Sequence, residues 1–159
     1  MGLRANIIRE TKMFKHILVP TDGSEMSINT VKRAITFAGE INARLTFYFA
    51  KPDYPVALYG EGALLDPTTP ERFAEMADRQ AEQILTAAKT LADAAGVNCT
   101  VMSAVNNVPY KGIIEAAAAS ACDLIFMASH GRRGLSSLLL GSETNRVLTH
   151  TTVPVLVYR

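Results

Sequence analysis

Short runs of apolar residues alternate with stretches of helical periodicity along the whole chain, and this alternation restricts the fold more than any other property. The first run is His16-Ile17-Leu18-Val19, ended by Pro20, and the second extends from Arg44 to Ala50. The third covers Val97 to Val105, the fourth Leu124 to Ala128, and the last Val153 to Tyr158. Near-continuous apolar strands are typical of parallel sheets covered on both faces. Parallel neighbours must be joined by crossovers, and right-handed helical crossovers pack back on the sheet. The pattern predicts an α/β fold, a single-domain open parallel sheet of five strands with helices on both faces.

The helical stretches support this. Ser24 is a suitable N-cap, and Ile28, Val31, Ala34, Ile35 and Ala38 then fall on one face. A longer helix is predicted from Glu71 to Ala95, with Ala74, Ala77, Ala81, Ile84, Leu85, Ala88 and Leu91 as its buried stripe and Gly96 as its stop. Asn106 to Pro109 turns into an Ala-rich helix ending near Ser120, and a last helix runs from Ser142 to His150. Between Lys51 and Pro70 lies a Pro- and Gly-rich loop, long for a compact domain and so expected to be functional or mobile. Residues 1–13 show no strand or helix pattern and no secretory signal, and are expected to be a loose extension of a domain spanning 14–159.

Composition removes several functional classes. Lys and Arg number 16 against 15 Asp and Glu, a net charge of +1, and the chain has no long block of like charges. Such a balance argues against a nucleic-acid or membrane-surface partner held by charge. No apolar stretch approaches the length of a membrane span. Cys99 and Cys122 have no CxxC partner and no histidine at ligand spacing, which suits two reduced thiols in a cytoplasmic protein.

In open parallel sheets, ligands bind beyond the carboxyl ends of the strands where strand order reverses. The loops after the first and fourth strands are therefore the candidates. The first reads Pro20-Thr21-Asp22-Gly23-Ser24. Its Asp22 carboxylate can accept hydrogen bonds from ribose hydroxyls, or it can cap the next helix. The other reads Ala128-Ser129-His130-Gly131, nine residues, then Gly141-Ser142. Gly131 can take positive φ and admit a ligand close to the backbone. Free amides of Gly141 and Ser142 at a helix start, with the Ser142 hydroxyl, would suit a phosphate without a lysine. Alternatively these residues only make a turn and a cap. Arg132 and Arg133 either reach a phosphate tail or are solvated.

Standard catalytic signatures are missing. There is no GxSxG elbow, no GxxxxGK[ST] phosphate loop and no HExxH. Gly60-Glu61-Gly62 lacks the third glycine of a dinucleotide fingerprint. Asp22, His130 and either Ser129 or Ser142 at one end of the sheet keep a hydrolase open as an alternative.

The two loops, their spacing and the closing Val153-Pro154-Val155-Leu156-Val157 together resemble the universal stress protein family, across residues 13 to 159. The resemblance implies strand order 3-2-1-4-5 and a homodimer joined through Val153–Tyr158. It implies ATP or AMP as bound ligand, with or without Mg, and a stress-response sensor or regulator rather than an enzyme. A weak ATPase and a regulatory dimer without nucleotide are the alternatives. Carried over, Asp22 holds the ribose, while Ala50 and Met127 contact the adenine. Gly131, Gly141, Ser142 and Thr144 hold phosphates, and Pro20, Thr21, Ala128, Ser129 and His130 complete the site. This chain departs from the family's pattern at Ala128, where the first glycine is expected. Glu143 also places a carboxylate beside the phosphates.

Overall fold

A computed structural model describes residues 13–54, 69–131 and 140–159. The strands are β1 (His16–Pro20), β2 (Arg44–Lys51), β3 (Cys99–Val105), β4 (Leu124–Ala128) and β5 (Val155–Tyr158). The helices between them are α1 (Glu25–Ile41), α2 (Pro70–Ala94), α3 (Pro109–Ala119) and α4 (Ser142–His150). All pairings are parallel, in the order β3-β2-β1-β4-β5. Leu18 sits opposite Thr46 on one side and Ile125 on the other, so β1 is the central strand. The predicted fold class and the strand order are those observed. Two of the strands begin two residues later than predicted, at Cys99 and Val155. The first twelve residues, most of the 51–70 loop, and Arg132, Arg133 and Gly134 lie outside the described residues.

Side-chain alternation in the strands builds two cores. Ile17, Val19, Leu45, Phe47 and Phe126 pack under Val31, Ala34, Ile35 and Ala38 of α1 and Ala81, Leu85, Ala88 and Ala92 of α2. On the other face, Leu18, Tyr48, Ile125 and Met127 pack under Ile113, Ala116 and Ala117 of α3 and Val147 of α4. At about 25 cal/mol per Å² of apolar surface, burial on both faces is the main stabilising term for such a sheet. β1 leads to α1 on one face, whereas β4 leads to α4 on the opposite face. The chain thus leaves β1 and β4 toward opposite faces, which makes their carboxyl ends the switch point where sheets of this kind bind ligands in a crevice.

Three residues assigned to buried stripes are exposed instead: Ile28 at 42%, Leu91 at 37%, and Ala74. For Ala74 the cause is a difference in length. α1 has 17 residues and α2 has 25, and their carboxyl ends meet around Gly39, Asn42, Ala95 and Gly96. At 1.5 Å per residue, α2 therefore begins roughly 12 Å beyond the start of α1, where no sheet lies beneath Ala74. Ile28 and Leu91 line an apolar groove of about 350 Å³ between the two helices. Gly96 does end α2 as predicted. At φ 68° it donates to Asp93 O, while the Val97 N–H reaches Ala92 O, a left-handed terminus suited to glycine.

The opposite end of the sheet is closed by polar contacts. His16 Nε2 lies 2.7 Å from Thr46 Oγ1, which lies 2.9 Å from Thr100 Oγ1. Burial, with Arg44 nearby, lowers the His16 pKa, and burial pushes the Cys122 thiol up to about 11, so that thiol is inert at neutral pH.

Candidate functional site

The β1–α1 loop is fixed by its own side chains. The Thr21 amide donates to Tyr48 O at 2.9 Å, extending the ladder one residue past Pro20. Asp22 Oδ1 accepts the Ser24 N–H at 2.9 Å, which turns the chain, and Gly23 takes φ 76°. Ser24 Oγ then accepts the Ser27 N–H, so Ser24 is the N-cap of α1 as predicted. Ser27, which the sequence reading passed over, sits inside this turn. Its Oγ lies 2.7 Å from Thr21 Oγ1 and accepts the Asp22 N–H at 3.1 Å. The spacing Ser24-x-x-Ser27 at a helix start was the available signal. Asp22 thus holds the turn that leads into α1 through Oδ1, while the cap itself is Ser24.

The β4–α4 segment is built differently. The Ser129 N–H donates to Tyr158 O at 2.8 Å, tying this loop to the last residue of β5. Ser129 is 1% exposed, and its Oγ lies 2.8 Å from His130 Nδ1. His130 Nε2 is buried, with no hydrogen-bond partner among the described residues. Gly141 is the N-cap of α4 but offers no side chain. Its amide is not free, contrary to expectation, because it donates to Ser129 O at 2.8 Å. A Cβ on Gly141 would lie 3.0 Å from Ser129 O and 3.3 Å from His130 Cα, which explains the glycine. Thr144 also departs from expectation. Its hydroxyl donates to Ala128 O at 2.9 Å and is 3.3 Å from Ser129 O, so only its amide can face a ligand. A cradle at this helix start would comprise the amides of Ser142, Glu143 and Thr144, which precede the first intrahelical bond, from Asn145 N–H to Gly141 O. A macrodipole of about half a positive charge adds to them.

The two loops meet at Gly131. A Cβ there would stand 2.8 Å from Asp22 Oδ2. Gly131 does not take the positive φ expected of it; among the described glycines, Gly23 and Gly96 do. Its smallness serves the approach of the Asp22 carboxylate. Asp22, Gly131, His130 and Gly141 therefore adjoin one another at the carboxyl ends of β1 and β4. Met127 and Ala50 belong to the α3/α4 face, with Met127 5% exposed and Ala50 half-buried. Pro20, two residues beyond Leu18, points to that same face. Ala128 is half-buried at the end of β4, where its carbonyl is held by Thr144.

Glu143 does not lie free beside the cradle. Its Oε2 accepts the Tyr110 N–H at 2.8 Å, and its Oε1 is 3.1 Å from Arg146 Nη1. Tyr110 is a second residue the sequence reading missed, and nothing local marks it, since the contact spans 33 positions.

Residues 13–159 match the model of the universal stress protein family. The chain is 33% identical over 156 residues to universal stress protein MJ0531 of Methanocaldococcus jannaschii, covering 97% of this chain and 88% of that one. A crystal structure of a universal stress protein in complex with cAMP is 26% identical, with a TM-score of 0.68 and coverage of 92% and 98%. The universal stress protein of Archaeoglobus fulgidus in complex with dAMP, 17% identical with a TM-score of 0.65 over 92% and 99%, shares the fold.

Proposed function

This chain belongs to the universal stress protein family, and on that premise we propose that it is a regulator that binds an adenine nucleotide, AMP or ATP. One observation carries the reading. Gly131 brings the β4 loop against Asp22 Oδ2, and Gly141 packs the start of α4 on the Ser129–His130 backbone of that same loop, so the carboxylate and the α4 amides belong to one end of the sheet. Asp22 Oδ2 accepts the ribose hydroxyls. Pro20, Ala50 and Met127 line the base. The amides of Ser142, Glu143 and Thr144 and the Ser142 hydroxyl take the α-phosphate. His130 Nε2, buried and without a hydrogen-bond partner among the described residues, supports a donor role toward the ligand. The cAMP and dAMP complexes of the similar structures support an adenine ligand. Among the described residues no group of three or more His, Cys, Asp or Glu could hold a metal, so a Mg ion would arrive with the triphosphate.

Regulation, in this reading, runs through a homodimer joined along β5. All four residues of β5 are half-buried, among the described residues one side of the strand has no neighbour in the sheet, and open edges pair with another chain. The bond from the Ser129 amide to Tyr158 O links the crevice to that edge. Turnover is not the purpose of the site. Burial of Ser129 speaks against its use as a nucleophile. A cytoplasmic setting suits the two free thiols, and no described helix is long and apolar enough to cross a membrane.

The test is calorimetry of the purified protein with AMP, ATP and cAMP, together with native mass spectrometry of untreated protein. A dissociation constant well below about 1 mM and a dimeric mass are expected. No adenine nucleotide retained, and no binding at millimolar concentration, would overturn the ligand assignment; a monomeric mass would overturn the dimer.

A further inference from the structure

The first turn of α4 is tied down on two sides. Toward β4, the Gly141 amide and the Thr144 hydroxyl bond to the carbonyls of Ser129 and Ala128. Toward α3, the tie is Glu143. The N-cap of α3, Val108, has no side-chain cap, and the Glu143 carboxylate supplies one from the neighbouring helix through the Tyr110 N–H. Arg146 completes the clamp. It binds the other carboxylate oxygen, and its guanidinium carbon lies 5.8 Å from the centre of the Tyr110 ring. That ring also packs against His150, with centroids 5.0 Å apart. A carboxylate between two cradle amides ought to repel a phosphate. Here it is drawn toward the positive end of α3 and toward Arg146.

Resting on the nucleotide reading above, we propose that Glu143 is a positioning residue for the phosphate. By capping α3 it fixes the orientation of the α4 amides, and the same contact holds its own charge off the ligand. A glutamine there keeps an oxygen for the Tyr110 N–H, whereas an alanine removes it. The role requires that Glu143→Ala weaken AMP binding by about tenfold, comparable to the loss of a charge-assisted hydrogen bond. Binding of adenosine, which has no phosphate, stays unchanged.

The experiment compares the parent, Glu143→Ala and Glu143→Gln by calorimetry with AMP and with adenosine, and by amide hydrogen exchange at Tyr110 without ligand. The alanine variant should lose protection at Tyr110 and affinity for AMP alone, and the glutamine variant should restore both. Equal AMP affinity in all three proteins would overturn the positioning role. So would a loss that extends equally to adenosine, or one that glutamine fails to rescue. A parent that binds no AMP sinks the nucleotide reading and this role with it; a binding parent unaffected by alanine sinks this role alone.

Discussion

Two helices begin at the carboxyl end of the sheet beside the same crevice, and they begin in opposite ways. α1 is closed by its own sequence, with Ser24 Oγ on the Ser27 amide and Asp22 Oδ1 on the Ser24 amide. α4 begins at a glycine with no side chain to offer. The contrast extends to the rest of the fold. Thr69 caps α2, and Glu143 caps α3 from a neighbouring helix. Among the described residues, α4 alone has a first turn that receives no side-chain oxygen. A capping side chain contributes about 1 kcal/mol. Omitting it where the backbone is otherwise so closely held leaves donors for something else. The open start also lies where the β1 and β4 loops come together, so vacancy and location coincide.

The largest effect should come from Gly141→Val. The new Cβ would meet two backbone groups, Ser129 O at 3.0 Å and His130 Cα at 3.3 Å, and neither can swing aside. The β4–α4 junction must open, at a cost of about 1–3 kcal/mol. AMP binding should fall more than about a hundredfold, since every cradle amide moves. Urea unfolding and calorimetry check the two parts. A variant that binds AMP like the parent would show that the start of α4 is no anion site.

A smaller effect separates the partners. Gly131→Ala places a methyl 2.8 Å from Asp22 Oδ2, the far end of a side chain that can rotate. Stability should change by less than about 0.5 kcal/mol, as at other surface sites. AMP affinity should drop about tenfold because the carboxylate is displaced from its hydrogen bonds. Unchanged affinity by calorimetry would remove Asp22 from the ribose.

The architecture was open to reading from sequence because it rests on local signals. Apolar runs marked the strands, Ser24 and Gly96 marked helix ends, and strand–helix alternation forced a parallel sheet. Periodicity tells which face of a helix is apolar, but not how far the sheet beneath it extends, which exposes Ala74, nor how closely two helices approach, which leaves Ile28 and Leu91 in a groove between α1 and α2. The loops of the site were found for a similar reason, since glycine spacing and the end of a strand are local. What the loops do with their atoms was not. That the Gly141 amide and the Thr144 hydroxyl are spent on the Ser129 and Ala128 carbonyls depends on contacts between distant positions, 16 apart for Thr144 and Ala128. The turning of Glu143 toward Tyr110 depends on how α3 lies against α4. Pairings of this kind are set by packing, and no spacing rule encodes them.

The smallest effect sharpens the comparison from the other side. Ser24→Ala removes the oxygen that closes α1 and makes its start as bare as that of α4. The Ser27 amide loses its acceptor at 3.2 Å, and stability should fall by about 1 kcal/mol in urea unfolding. The Ser24 amide remains, so Asp22 Oδ1 keeps its donor and the loop keeps its shape. AMP should therefore bind within about twofold of the parent, because capping energy at α1 never enters the bound state. An amide freed in this way also gains no phosphate of its own, since the adjoining Asp22 carboxylate repels an anion. A Ser24→Ala protein that lost AMP binding as fully as Gly141→Val would show that both helix starts serve the ligand alike, and the division between a closed turn and an open cradle would fall.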